Sequence, residues 1–303
     1  LCKMKRREFV KLSSTASALG LLPFEVGAAL KLANSTMNCD VSSRKLVLIE
    51  LRGGNDGLNT LIPYDNYGYY SSVLRPDIYI PDVNFSDQAV DTLLPSNQQL
   101  MFHPALLEGQ HNSGFKGIYQ SGMLRILQSV GYPSANKSHF ASIDLWSTGN
   151  DGNSWNNGKD SGWMGRFMEE AYSNLLPSNF PLGIQLGSSN TWLGFHAEHE
   201  HGIAMNIEGQ DSENFYTVLN GLSGQPPLNI PNNSHYGAEL QYVVDTDASA
   251  NIYSQSIQNA FNAPGSNNLA AYPDTDLANQ LKTVARLIRG GIETKVYMVT
   301  CLL

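Results

Sequence analysis

The sequence predicts an α/β protein built on a parallel sheet, and three observations carry that expectation. Lys45-Leu46-Val47-Leu48-Ile49-Glu50-Leu51 is a short, nearly continuous run of branched apolar residues, the pattern of a strand buried on both faces. It empties into Arg52-Gly53-Gly54-Asn55-Asp56-Gly57-Leu58-Asn59-Thr60, a glycine-rich polar loop of the kind that open α/β sheets place at the carboxyl ends of their strands. Further apolar runs then alternate with helix-period segments, and strand, helix, strand order favours right-handed crossovers between parallel strands.

Composition excludes two broad classes. Of 303 residues 42% are hydrophobic and only 15% charged, whereas disorder needs few apolar residues and dense charge. The formal net charge is −8, with no basic cluster after the first eleven residues, so a nucleic-acid partner, which requires a clustered Lys/Arg surface, is not expected.

At the amino end, Lys5-Arg6-Arg7-Glu8-Phe9-Val10-Lys11 leads into a mildly apolar stretch over 12–22, too short to span a membrane. Paired arginines followed by Phe and Lys resemble a twin-arginine export signal, a receptor-read address rather than an anchor. The alternative is a basic amphipathic helix. Val26-Gly27-Ala28-Ala29 offers small residues for cleavage. On the export reading, residues 1–28 are the signal peptide, the twin-arginine machinery is a partner, and the mature protein is periplasmic or exported. No later run is apolar for long enough to be a transmembrane segment. Cys2 leaves with the signal, and Cys39 and Cys301 form no obvious framework.

Beyond the first strand, Pro63, Pro76, Pro81 and Pro95 with interspersed tyrosines read as loop with short strands. Residues 104–120 read as a helix interrupted by Asn112-Ser113-Gly114, and 123–130 as a second strand. An Asn/Gly/Ser-rich loop covers 149–160, after which Ser161 is placed to cap a helix carrying Trp163, Met164, Phe167, Met168, Ala171, Tyr172 and Leu175 on one face. Residues 181–186 read as a third strand. The region 194–261 is less regular, with helices expected over 213–222 and 237–261 around a Pro/Asn loop, and is a candidate cap or insertion. Asp276 is placed to cap a strongly periodic helix that Gly290-Gly291 ends, and 295–300 is the last strand.

Candidate chemistry gathers at two loops and one cluster. Asp56, just past the first strand, is either a hard ligand for a divalent cation or an Asp-Gly turn residue bonded to its own backbone. Asn59 in the same segment is a candidate orienting or substrate group. Ser138 is a candidate nucleophile that a metal or base would activate, and the adjacent His139 suits an orienting or substrate role because neighbouring side chains diverge. The opposing reading of Ser138 is a hydrogen-bonded loop serine. His196-Ala197-Glu198-His199-Glu200-His201 puts His199 and His201 on one face of a strand, a spacing that suits zinc or copper, or else is a solvated loop. Tyrosine pairs such as Tyr69-Tyr70 read as core or rim packing. No P-loop, dinucleotide fingerprint or Gly-x-Ser-x-Gly elbow is present.

Taken together, Arg6-Arg7-Glu8-Phe9, Leu48-Ile49-Glu50-Leu51-Arg52-Gly53-Gly54-Asn55-Asp56-Gly57-Leu58-Asn59-Thr60, Phe102-His103-Pro104-Ala105-Leu106, Val130-Gly131-Tyr132-Pro133, Ser138-His139-Phe140, Asp144-Leu145-Trp146 and Gly162-Trp163-Met164-Gly165-Arg166 resemble bacterial domain of unknown function 1501. That family is exported by the twin-arginine route and is similar in fold to sulfatases and alkaline phosphatases. The resemblance implies a three-layer α/β/α sandwich, a divalent metal (zinc, calcium or magnesium) with Asp56 as a ligand, and a hydroxyl nucleophile for which Ser138 stands by position. The implied activity is hydrolysis of a small phosphate or sulfate ester. It further implies a Gly-Gly-Phe-Asp-Thr-His-like motif after the segment 276–300, with more Asp and His ligands beyond. Cys301-Leu302-Leu303 stands there instead, and Leu1-Cys2-Lys3 precedes Met4. The expectation is therefore an inactive chain whose residues 29–303 form the N-terminal part of such a domain, C-terminally truncated, with an incomplete metal site and sheet. The competing expectation is a non-catalytic envelope protein that binds polysaccharide or another envelope component.

Overall fold

A computed structural model describes residues 43–81, 100–107, 114–133, 135, 137–150, 161–187, 191–198, 203–207 and 249–302. In chain order the principal elements are β1 (Leu46–Arg52), α1 (Gly57–Thr60), β2 (Leu61–Pro63), β3 (Leu100–Phe102), α2 (Phe115–Gln120), α3 (His139–Thr148) and α4 (Trp163–Ala171). They continue with β4 (Gly183–Leu186), β5 (Ala204–Ile207), α5 (249–261), α6 (Asp276–Arg289) and β6 (Val296–Leu302). The described residues divide into two compact units, one from those within 43–51 and 133–302, the other from those within 52–132.

The first unit is α/β, as expected. Among the described residues its sheet has four strands in the order β1-β6-β4-β5, and β4 runs parallel to both β5 and β6, with Ile184 opposite Met205 on one side and Tyr297 on the other. Successive residues of a strand face opposite sides, and β6 uses both. Tyr297 and Val299 join Ile184, Leu186, Tyr253 and Ile257, with Val284 and Leu287 of α6. Val296 and Met298 join Met164 and Met168 of α4 with Leu182 and Phe195. No residue from Val296 to Val299 exceeds 1% exposure, so β6 is the strand with the two-faced burial that its continuous apolar run encodes.

The same pattern misleads at β1. A strand buried on both faces is expected there, yet Leu46, Ile49 and Leu51 are 42%, 49% and 45% exposed. The physical reason is position: among the described residues β1 ends the strand order, with β6 as its neighbour in the sheet. Residues 123–130, expected as the second strand, form none. Met123, Leu127 and Val130 are 72%, 84% and 81% exposed, and a φ of 56° at Ser129 interrupts the extended backbone a strand needs. The strand–helix–strand crossover expected around them is correspondingly absent from the described sheet, whose strand β5 had no counterpart among the expected ones.

Helix boundaries differ by small, explicable amounts. The N-cap of α4 is Gly162, not Ser161, and position 162 has no room for a side chain, since a Cβ there would lie 2.2 Å from the Leu193 carbonyl oxygen. Ser161 is instead buried and accepts from Arg166 Nη1 at 3.1 Å. Thr275 rather than Asp276 caps α6, its side chain accepting from the Ala278 amide, while Gly290 is the C-cap as expected. Within 104–120 the structure has a 3₁₀ turn, Pro104–Leu106, and then α2. Residues 204–207 lie in the sheet and α5 packs into its core. The segments 213–222 and 224–234 fall outside the described residues, as do the signal peptide and most of the 149–160 loop.

In the second unit β2 and β3 pair antiparallel, Ile62 opposite Met101. The stretch expected as loop with short strands is helical from Tyr64 to Leu74, passing from 3₁₀ through α to π geometry. Tyr64, Tyr67 and Tyr70 recur every three residues, with ring centroids 6.2 and 5.6 Å apart along the series. This is a helical period. Arg75 closes the last turn through its amide to Tyr70 O, and Pro76 stops it.

Candidate functional site

The loop after β1 is built by its glycines and amides. Gly53 and Gly54 take φ of 101° and 108°, conformations that favour glycine. Asn55 Oδ1 then accepts from Thr60 Oγ1 at 2.8 Å. Asp56 has the extended backbone of an N-cap, and its Oδ1 accepts from the Asn59 amide at 3.2 Å. The same oxygen meets Arg75 Nη2 at 3.0 Å, an ion pair whose side chains are 37% and 30% exposed. Asn59 is spoken for at both ends: Nδ2 donates to Ile78 O at 2.8 Å, and Oδ1 accepts from the Tyr70 hydroxyl at 2.7 Å. The Tyr70 hydroxyl in turn accepts from the Ile80 amide at 2.8 Å, and Tyr70 is fully buried beside Ile62 and Met101. Asp56 and Asn59 are thus brought together, and both tie the loop to residues 70–80.

Ser138 and His139 belong to the first unit. Ser138 is the N-cap of α3, its Oγ accepting from the Ala141 amide at 3.4 Å, and His139 is the exposed first residue of that helix. The helix closes at Gly149, φ 71°, whose amide donates to Leu145 O. Arg166 spans the loop that follows, donating to Thr148 O and Ser161 O at 2.6 Å each. Burial pulls its pKa below the ordinary arginine value, yet the guanidinium sits on carbonyls at a helix carboxyl end, where positive charge is favoured.

A divalent cation at Asp56 would need several oxygen donors. Of the two carboxylate oxygens, Oδ1 already carries an amide and a guanidinium, and among the described residues no group of three His, Cys, Asp or Glu is gathered to hold a metal. As arranged, these residues do not fit a complete metal centre. In the histidine cluster, the described His196 is exposed, with its amide on Leu193 O and its carbonyl on the Gly162 amide, while His199 and His201 lie outside the described residues.

Sequence reasoning missed Arg75, Lys45, Lys295 and Gln280. The lysines carried a legible signal: each stands immediately before an apolar strand run, β1 and β6. In the fold, Lys295 Nζ lies 2.9 Å from Glu293 Oε2, and Lys45 Nζ 3.5 Å from the same oxygen. The bond to Lys295 is the largest influence holding the Glu293 carboxyl below its usual range.

No protein-family model matches the chain, no curated protein matches it, and no solved structure matches it.

Proposed function

We propose that the chain is an exported α/β protein of the sulfatase and alkaline phosphatase kind, its sheet layered between helices, and that as constituted it turns over no ester. The paired arginines and the glycine-rich loop after β1 support the first part. One observation carries the second. The Asp56 carboxylate, the group that would organise the chemistry of such a site, is committed to capping α1 and to Arg75. Ser138 Oγ likewise takes part in an N-cap.

A second reading, a non-catalytic envelope protein that binds polysaccharide, draws on exposed aromatics. Trp146 is 44% exposed and stands edge-on to Trp163 at 5.9 Å, and Phe140 on the same helix is 77% exposed. Aromatic faces of this kind offer large rigid contact area.

One pair of measurements separates the readings. Aryl phosphate and aryl sulfate are offered to the chain with added zinc, calcium or magnesium, and no turnover above buffer is expected. Metal-dependent turnover that Asp56→Ala abolishes would overturn the inactive assignment. Retardation of the chain in polysaccharide-containing gels, lost in Trp146→Ala, would favour the second reading over the first.

A further inference from the structure

We infer that Arg75 is the built-in counter-ion of the loop after β1: its guanidinium takes, on the Asp56 carboxylate, the place that a divalent cation would need, so the loop keeps its shape without metal. The inference rests on the reading of Asp56 given above and extends it to the segment that supplies the charge. Local structure delivers the arginine. The helical run 64–74 ends at Arg75, whose amide donates to Tyr70 O at 2.8 Å and whose carbonyl accepts from the Ile78 and Tyr79 amides at 3.2 and 2.9 Å. The residues on either side of it are fastened to the loop itself, Ile78 O by Asn59 Nδ2 and the Tyr70 hydroxyl between Asn59 Oδ1 and the Ile80 amide. The backbone that carries Arg75 is thus held before and after it, and Nη2 reaches Asp56 Oδ1 at 3.0 Å. A side chain rooted in this way is a fixed charge, unlike a surface arginine free to swing away.

Charge and donor chemistry then decide against a cation. The pair Asp56 and Arg75 is neutral as it stands, and a divalent ion on the same carboxylate would sit beside a like charge. The Asn59 amide and the Arg75 guanidinium both donate to Oδ1 already, in place of the bond a metal would make there. Arg75 Nε is buried and meets no acceptor among the described residues. An N–H can only donate, so what this place lacks is an acceptor oxygen, whereas a hard cation would compete for the oxygens present.

The test is thermal unfolding of the 303-residue chain, of Asp56→Asn and of Arg75→Met, in calcium, magnesium or zinc chloride against sodium chloride at equal ionic strength. Asparagine caps a helix about as well as aspartate, so Asp56→Asn removes the charge and keeps the cap. A cation that binds only the folded state raises Tm in a saturable manner, and only the part that Asp56→Asn loses reports on this loop. For the unmodified chain we expect no such part. Arg75→Met uncovers Asp56 and should gain a response of about 2–4 °C at ten times the half-saturating concentration, a response that adding Asp56→Asn removes. The inference falls if the unmodified chain already shows a response that Asp56→Asn loses, or if Arg75→Met responds no more than the unmodified chain. Should Arg75→Met fail to fold, the unmodified chain and Asp56→Asn decide the matter between them. Turnover is not the readout, so a cation response without ester hydrolysis would sink this inference and leave the inactive assignment standing.

Discussion

Gln280 shows how one side chain can complete a sheet. Strand β4 pairs with β6 as far as Gln185 opposite Met298, and Gly187, with φ of 82°, turns the chain away. The Gln280 amide fills the place left open: Nε2 donates to Thr300 O and Oε1 accepts from the Thr300 amide, both at 2.9 Å. A Cβ at position 187 would lie 2.9 Å from that amide, so the glycine and the glutamine belong to one device. Gln280→Leu keeps the volume and strands two buried main-chain groups. We expect a loss of about 2–4 kcal/mol in urea unfolding, from the usual penalty for buried polar groups left unmade; a loss near zero would mean that water reaches Thr300. At this scale the sequence was informative about Asp56 and Asn59 but ambiguous about their purpose. The Asp-Gly turn and the metal-ligand alternatives share one spelling, and the deciding partner, Arg75, lies 19 residues away in the chain. A distant counter-ion leaves no periodicity to read.

Elements were legible where period and length agreed. The apolar period of α6 and its glycine stop gave that helix to within a residue, and β4 and β6 were recognisable from short branched runs. Burial was another matter at β1, because composition does not say where a strand falls in the sheet order. The run 64–74 was unreadable for a different reason: its tyrosines follow a three-residue period that mixed 3₁₀, α and π turns produce. Close approach of elements was also hidden. Helix α4 lies flush against the turn at 191–197 through two glycines, and a Cβ on Gly165 would come within 2.2 Å of the His196 carbonyl oxygen. Alanine in place of glycine inside a helix ordinarily gains about 1 kcal/mol. Backbone in the way reverses the sign, since it cannot yield as a flexible side-chain end does. Gly165→Ala should therefore destabilise by about 1–3 kcal/mol in spite of its better propensity, whereas Gly68→Ala, with open space around its Cβ, should be neutral or mildly stabilising. Equal effects at both positions in thermal unfolding would refute the flush contact.

For the molecule as a whole, net charge and exposed apolar surface act in opposition. A formal charge of −8 at pH 7 and a pI near 5.3 keep copies apart at neutral pH by mutual repulsion. Against this stand the apolar side chains of β1 at the end of the described sheet order, Leu46, Ile49 and Leu51. Exposed apolar strands at sheet edges are sites of self-association, and a lysine on such a strand is the common natural remedy. The two influences make opposite predictions for one substitution. Ile49→Lys moves the formal charge from −8 to −7, so if repulsion alone governed solubility, light scattering near neutral pH would rise slightly. If the strand governs, scattering should fall, and most clearly near pH 5.3, where the repulsion of the unmodified chain vanishes. We expect the fall, because removing about half of an isoleucine's exposed apolar area at an association surface outweighs a one-unit change in a charge that salt screens within about 10 Å. A rise in scattering across the whole pH range would assign association to charge and leave β1 without a part in it.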